Sequence, residues 1–520
     1  MDSENQPPVN PWAVAGSVMV GTFMVVLDTT VVNISLPYVA GSLSASIEES
    51  TWALTSYLAA NAVILPITGW LAALFGRKRL FILSVASFTA ASLLCGLALS
   101  LPALVLFRIV QGASGGVMQP LSQAIMLEAF PRQERGKAMG FFGIGVVVAP
   151  ILGPVLGGWL TDNYSWRWVF YINIPVGIVA ILLLRRFLHD PPYLDRSGKR
   201  IDAWGIGLLA VGIAALQIAL DKGQEEDWLA SAWIIGLLVT AAVCLTVFVV
   251  HTLRVAHPVV KLRVFADRTF TLGTVLVTLM SFVLFGSLVM LPLLLQTLMR
   301  YPPLEAGLAM APRGVGSLIA MPLVGLLVAR TDPRRLLALG FVLGGFTLLW
   351  LSWLNLDAGF WDLAWPQFIQ GIAFGLLFVP LTTTTMDGIA RAEMGNATSV
   401  FNLMRNLGGS MGIAAVQTLL ARDRQAHVNI LGSHVDPFSP AAQAWLRNLQ
   451  SAFIARGSDA VTAGRQALAA AFGMVQKQAA MISFIDAFRL LALIFLLLAP
   501  LALLLRRPEH QRGPTVAVGE

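Results

Sequence analysis

Long apolar runs separated by short polar breaks occupy the chain almost from end to end. A helical membrane crossing needs roughly 20 predominantly apolar residues. Fourteen runs of about that size fall near 13–36, 50–74, 80–100, 103–127, 138–161, 168–187, 203–220, 230–250, 270–295, 304–328, 336–355, 365–386, 397–420 and 481–504. In lipid, runs of this length satisfy their own backbone groups as helices. The pattern therefore predicts an all-α membrane protein with fourteen spans.

The polar breaks set an orientation. One side of the predicted membrane carries 22 Lys and Arg, including Arg77-Lys78-Arg79, and the other carries 9, of which 6 lie in the long segment 421–480. Long segments cross largely regardless of charge, so the working comparison is 22 against 3, which places both termini in the cytoplasm. The opening MDSENQPPVN lacks a basic start and a small-residue cleavage site, so the first run is expected to stay as a span.

Composition agrees. The 520 residues are 57% hydrophobic and 12% charged, with mean hydropathy +0.74 and net charge +7. A soluble chain would carry roughly 25% charged residues, so the main solvent is lipid. The basic residues sit in short clusters between apolar runs, which fits membrane topology and gives no phosphate-binding face for nucleic acid. Cys95 and Cys244 lie in distant apolar runs and imply no disulfide. The six His fall at span ends or in breaks and no GxxxxGK[ST] occurs. No catalytic site, metal site or cofactor is predicted, and the chain is not read as an enzyme.

The second half repeats the first in outline. PITGWLAALFGRKRL at 66–80 returns as PLVGLLVARTDPRRL at 322–336, and Gln111-Gly112 matches Gln370-Gly371. Gly136, Ala138 and Gly153 match Gly395, Ala397 and Gly412. Spans 1–6 and 9–14 then form equivalent six-helix bundles, with spans 7 and 8 inserted. The expected division is 1–188, a linker with the inserted pair at 189–268, and 269–520. Two such halves around a midplane site are how alternating-access transporters are built; this layout disfavours a channel.

Charge inside the spans is rare. Asp28, Arg108, Arg313 and Arg405 are embedded, with Asp486 and Arg489 near the outer end of the last span. Each such group costs roughly 2.5–3.5 kcal/mol at the bilayer centre. Counting from Pro37 and Pro102 puts Asp28 about 13 Å and Arg108 about 9 Å below the outer ends of their spans. They can pair if spans 1 and 4 are neighbours. The carboxylate is then either half of a structural ion pair (or one facing a wet crevice), or a titrating group tuned by the guanidinium. The second half has Gln367 in place of Arg108 and no acid opposite Asp28. In span 5, Gly153, Pro154, Gly157 and Gly158 permit close helix approach and a bend, as packing or as a hinge.

At these residues the chain resembles a known family, the fourteen-span drug–proton antiporters of the major facilitator superfamily, EmrB/QacA type. LDTTVVNISLP at 27–37 is similar to the family's span-1 signature, and GWLAALFGRKRL to the loop 2–3 motif, with Ala73 where an acid is customary. RIVQGASGG at 108–116 resembles the span-4 motif and GPVLGG at 153–158 the span-5 motif. WRWVFYINIPVG at 166–177 and NATSVFNLMRNLGGSMG at 396–412 resemble stretches of the fourteen-span branch.

The resemblance implies a major facilitator fold and proton-driven efflux of amphipathic drugs from the inner membrane. The rival is proton-coupled export of an endogenous lipid, fatty acid, siderophore or metabolite. Asp28 and Arg108 would couple the proton, the freed carboxylate favouring a cationic or polar substrate. Asn33, Asn61, Gln119, Gln123, Arg313, Phe374, Phe378, Thr382 and Arg405 would line the cavity. Gly69, Gly76 and Arg77 would gate, with Glu128 or Glu134 replacing the missing acid, while Gly153, Pro154, Gly157 and Gly158 would form the hinge. Segment 421–480 is expected outside, with helices starting near Ser439-Pro440 and Ser458-Asp459. It either shields the outer mouth or, as the resemblance implies, docks a periplasmic adaptor leading to an outer-membrane channel.

Overall fold

The computed structural model describes residues 10–190, 202–435 and 438–506. Residues 191–201, which hold three of the predicted cytoplasmic basic residues, and the tail beyond 506 lie outside the described residues. All regular structure among the described residues is helical. The first half comprises α1 (Pro11–Ser42), α2 (Ile47–Phe75, interrupted by a turn at Leu65–Ile67), α3 (Arg77–Gly96), α4 (Leu101–Ala129), α5 (Arg135–Asn163) and α6 (Asn173–Phe187). Two further helices follow, α7 (Ala203–Lys222) and α8 (Ala232–Arg254). The second half comprises α9 (Arg268–Leu293), α10 (Pro303–Leu327), α11 (Pro333–Leu351), α12 (Phe360–Asp387), α13 (Met394–Ser433), α14 (Pro440–Ile454) and α15 (Ala460–Leu503).

Thirteen of the fourteen predicted spans are helices long and apolar enough to cross a membrane. The other is α13, made more polar by Asn402, Arg405 and Asn406. Sequence chemistry fixes many helix starts. Asn10, Asp202, Asp267, Asp332, Ser439 and Asp459 each accept a first-turn backbone N–H, satisfying donors that a helix leaves open. Gly76, at φ 84°, ends α2 and starts α3 in one residue, a left-handed geometry that favours glycine.

Two sequence expectations need correction. Pro37 does not end the first span: α1 continues to Ser42. A proline removes one backbone donor, here facing the carbonyl of exposed Asn33, so the helix tolerates it. Asp28 thus lies about 21 Å below the helix end. The helix of the thirteenth span also does not end at 420, nor does that of the fourteenth begin at 481. Helices α13 and α15 run unbroken for 40 and 44 residues, about 60 and 66 Å, roughly twice a 30 Å hydrocarbon layer. They therefore project beyond the membrane and carry α14 between them. Its predicted cap and N1 proline, Ser439 and Pro440, are in place.

Packing shows the duplication directly. In the first half α1 packs on α5, α2 on α4, and α3 on α6; in the second α9 packs on α13, α10 on α12, and α11 on α15. The inserted α7 lies against both α2 and α13. Lys222 Nζ donates to Thr51 Oγ1 at 2.6 Å, Thr55 donates to Asp221, and Gln217 Nε2 donates to Ser410 Oγ at 2.9 Å. The inserted α7 therefore covers one side of the junction between the halves, with α8 packed on it.

The halves meet toward the face that carries the basic breaks. The α-carbon side of Gly69 faces the backbone of Asn396, Gly136 faces the Gly325 carbonyl and Gly140 the Met321 carbonyl, each closer than a Cβ would allow. These glycines bring α2 onto α13 and α5 onto α10. All of these close approaches sit near the basic ends of their helices, so that face is shut.

Candidate functional site

Asp28 sits where α1, α4 and α6 converge, with α2 alongside. Arg108 donates from Nη1 to Asp28 Oδ2 at 2.6 Å. Gln111 Nε2 and Asn173 Nδ2 donate to Oδ1 at 2.9 and 2.8 Å. The sequence makes this convergence local: Gln111 is one helical turn from Arg108, so both side chains leave α4 on one face. Asn173 reaches in from the start of α6 and also donates to Ser92 Oγ at 3.0 Å.

The guanidinium is held from several sides. Arg108 Nε donates to the Ala53 carbonyl of α2 at 3.0 Å, and Nη1 also donates to Gln111 Oε1 at 2.8 Å. Its plane lies 4.1 Å from the centre of the Tyr57 ring, a cation–π contact. Asp28 and Arg108 are 1% and 0% exposed. Burial of two charges costs several kcal/mol per ion unless the pairing is close and the remaining lone pairs are satisfied. Three donors on one carboxylate meet that condition for Asp28, while Arg108 Nη2 is buried without a hydrogen-bond partner among the described residues.

The equivalent place in the second half is neutral. Gln367 Nε2 donates to Gln370 Oε1 at 3.3 Å, both buried, and α9 contains no acid. The charged network therefore belongs to one half only.

A second polar cluster bridges the halves. Arg405 Nη2 donates to Gln119 Oε1 at 2.9 Å, Asn402 Nδ2 to Gln123 Oε1 at 2.6 Å, and the Gly69 N–H to Ser399 Oγ at 2.9 Å. Beside it Phe378 lies between Phe142 of the first half and Phe374, with ring centres 6.2 and 5.6 Å apart. Arg313 is half-buried on α10 and, among the described residues, has no hydrogen-bond or ion-pair partner. Arg405 has only the neutral Gln119.

The predicted cavity residues do not form one wall. Gln119, Gln123 and Arg405 are brought together, as are Phe374 and Phe378. Gln123, Phe378 and Thr382 are fully packed, so in this conformation they form the closed floor rather than an open lining. Asn33 is exposed on α1 and Asn61 half-buried on α2. Among the predicted gate residues, buried Arg77 pairs with Glu128, and Glu134 pairs with Lys137.

In the predicted hinge, Gly153 and Gly157 of α5 face Thr30 and Val31 of α1. Gly158 does not serve close approach: nothing lies within 4 Å of its Cβ position, because it points away from α1. Pro154 lies within α5. Sequence reasoning missed Gln111 and Asn173 as partners of Asp28 and Asn402 as a bridge. The available signals were the one-turn spacing from Arg108 and a lone amide in the apolar run YINIP.

Two equivalent helical bundles closed over a polar seam, with an ion network buried in one of them, define an alternating-access membrane transporter. The chain belongs to the Major Facilitator Superfamily, whose family model matches residues 18–413. It is 40% identical over 430 residues to the multidrug export protein EmrB of Haemophilus influenzae, covering 82% of this chain and 84% of that one. It is 37% identical over 511 residues to the fatty acid resistance protein FarB of Neisseria gonorrhoeae, covering 98% and 99%. In fold it matches the human organic anion transporter MFSD10 with a TM-score of 0.60 at 13% identity, over 94% of this chain and 100% of that one.

Proposed function

We propose that this protein exports amphipathic drugs and toxic compounds across the cytoplasmic membrane in exchange for protons. The observation that carries the reading is Asp28, a buried acid present in one of two otherwise equivalent halves and held by groups from α4 and α6. The basic face is assigned to the cytoplasm, so the seam is closed on the cytoplasmic side. Asp28 here accepts three N–H donors with two oxygens. In this mechanism Arg108 withdraws as the proton loads from outside. Neutral Asp28 then loosens α1 from α4, the seam opens, and the proton leaves on the cytoplasmic side. No cofactor takes part; the proton gradient supplies the energy.

Arg405 stands at the seam against the neutral Gln119, Arg313 lies on α10 without a counter-charge, and Asp28 is enclosed by its own bundle. That arrangement favours anionic amphiphiles, including fatty acids, over the cations expected from a freed carboxylate. The similarity to FarB supports this second reading.

We assign the projecting α13–α14–α15 hairpin to a periplasmic adaptor that leads to an outer-membrane channel. Outside the membrane it exposes Phe438, Val461, Leu468 and Phe472, apolar groups that an interaction partner would cover. Deleting 430–475 should leave export from proteoliposomes intact and abolish adaptor capture; retained capture refutes the assignment. For transport itself, purified protein in liposomes should expel a fluorescent amphiphile when a pH gradient is imposed and stop on adding an uncoupler. Export insensitive to the uncoupler refutes proton coupling.

A further inference from the structure

Beyond the seam, at the face opposite the basic breaks, the end of α9 and the middle stretches of α13 and α15 line an open cavity of about 570 Å³ that includes none of the coupling, seam or hinge residues. Its floor includes Leu298, Leu420 and Phe484, and its rim Arg300, Arg424 and Lys477. The three cations come from three separate stretches of chain. Among the described residues none of them has a hydrogen-bond or ion-pair partner. Arg300 is set at the rim by a π-helical turn at Leu294–Leu298 and a left-handed backbone, φ 59°. The acid on α15 nearby, Asp486, is already engaged by His427 at 3.1 Å and Arg489 at 3.5 Å. Asp423 does not line the cavity.

Depth along α15 identifies the surroundings. Counting up from Leu503 at the basic end, Phe484 lies at about 29 Å and Lys477 at about 39 Å. A bilayer has about 30 Å of hydrocarbon and 40–45 Å in total. The apolar floor therefore reaches the outer edge of the hydrocarbon, and the cations lie in the headgroup layer. Three unpaired cations around an apolar floor match a negatively charged headgroup with acyl chains attached.

We propose that this cavity binds an anionic phospholipid of the outer leaflet, its phosphate among Arg300, Arg424 and Lys477 and its acylated end on Leu298, Leu420 and Phe484. A zwitterionic lipid would leave net positive charge uncompensated, and a small soluble anion would leave the floor unused. Each Lys or Arg beside an anionic lipid surface contributes about fivefold in affinity, so three give on the order of 100-fold.

The test uses the full-length protein in detergent, titrated with phosphatidylglycerol or phosphatidylcholine. Retained lipid is counted by native mass spectrometry and the unfolding midpoint is followed in parallel. Phosphatidylglycerol should be retained and raise the midpoint, and phosphatidylcholine should do neither. R300Q/R424Q/K477Q should bind phosphatidylglycerol on the order of 100-fold more weakly, while R300K/R424K keeps it. Equal retention by the triple variant, or equal retention of the two lipids by the native protein, overturns the proposal. Displacement by inorganic phosphate as effective as by phosphatidylglycerol also overturns it, leaving a simple anion site. Should the triple variant not fold, K477Q decides: about fivefold weaker binding is expected, and unchanged binding overturns the proposal.

Discussion

Asp28→Asn removes the charge and keeps the shape, which makes it the sharpest perturbation of the network. If the new amide turns its oxygen to Arg108, its nitrogen faces the donating amides of Gln111 and Asn173. If it turns the other way, two donors face each other at the Arg108 contact, 2.6 Å in the native protein. Either way Arg108 is left as a buried cation without a counter-charge. Removing one partner of a buried pair costs about 3–5 kcal/mol, a large part of a typical stability of 5–15 kcal/mol. Loss of export in this variant alone would therefore not separate coupling from folding. The second half supplies the control, since Gln367 and Gln370 occupy the corresponding place without charge. Asp28→Asn/Arg108→Gln should recover most of the stability, with an interaction energy of about 3 kcal/mol in the double-mutant cycle. Proteoliposomes then measure function. One pH unit supports about a tenfold substrate gradient per exchanged proton. The native protein should build that gradient, and the double variant should exchange substrate but build none. A double variant that still accumulates substrate against its gradient refutes Asp28 as the coupling group.

Three other outcomes follow from the same geometry. Glu128→Gln removes the counter-charge that holds Arg77, and with it the end of α2, against α4; since α2 meets α13 there, thiol labelling of a Ser399→Cys reporter from the basic face should accelerate at least about tenfold. An unchanged rate would separate the pair from gating. Gly153→Ala places a Cβ 2.1 Å from Thr30 Oγ1 and should cost about 1–3 kcal/mol, whereas Gly158→Ala meets nothing and should be neutral or stabilise by up to about 1 kcal/mol; the reverse order in thermal unfolding would refute the packing argument. Arg313→Gln and Arg405→Gln should each raise KM for a carboxylate amphiphile by roughly 10-fold or more and leave a cationic dye unaffected. Equal losses for both substrates would exclude a charge-based preference.

The spans were legible because lipid imposes length and apolarity together, and the repeat because both halves solve the same packing problem with the same glycines. Asp28 and Arg108 stood out as costly exceptions. Their partners Gln111 and Asn173 did not, since a buried amide carries no penalty large enough to mark it in an apolar run. The outer segment was misjudged for a related reason. Hydropathy reports where lipid ends, and α13 and α15 remain helical well past that point, stabilised by packing on each other. Of the polar seam, Gln119, Gln123 and Arg405 were legible, but Asn402 and the pairing across halves were not. Gln119 with Arg405 and Gln123 with Asn402 are separated by 286 and 279 positions, and only the fold brings them together.

The coupling network and the seam share no side chain, yet α4 carries residues of both, and α2 and α5 also link them. Arg108 is tied to α2 through the Ala53 carbonyl, and α2 reaches the seam at Gly69, about 24 Å further along. The helix that bears Asp28 packs through Thr30 and Val31 on Gly153 and Gly157 of α5, and α5 meets α10 at Gly140 and Gly136, about 20–26 Å away. At Gly69, Gly136 and Gly140 backbone lies on backbone, with no flexible side chain to absorb a shift. A change at Asp28 that frees Arg108 therefore acts at the near ends of the two elements whose far ends close the basic face. Transmission requires those elements to have two arrangements, which is why the double variant must be judged by exchange as well as by accumulation. Exchange reports whether α2 and α5 still move, and accumulation reports whether a proton moves them.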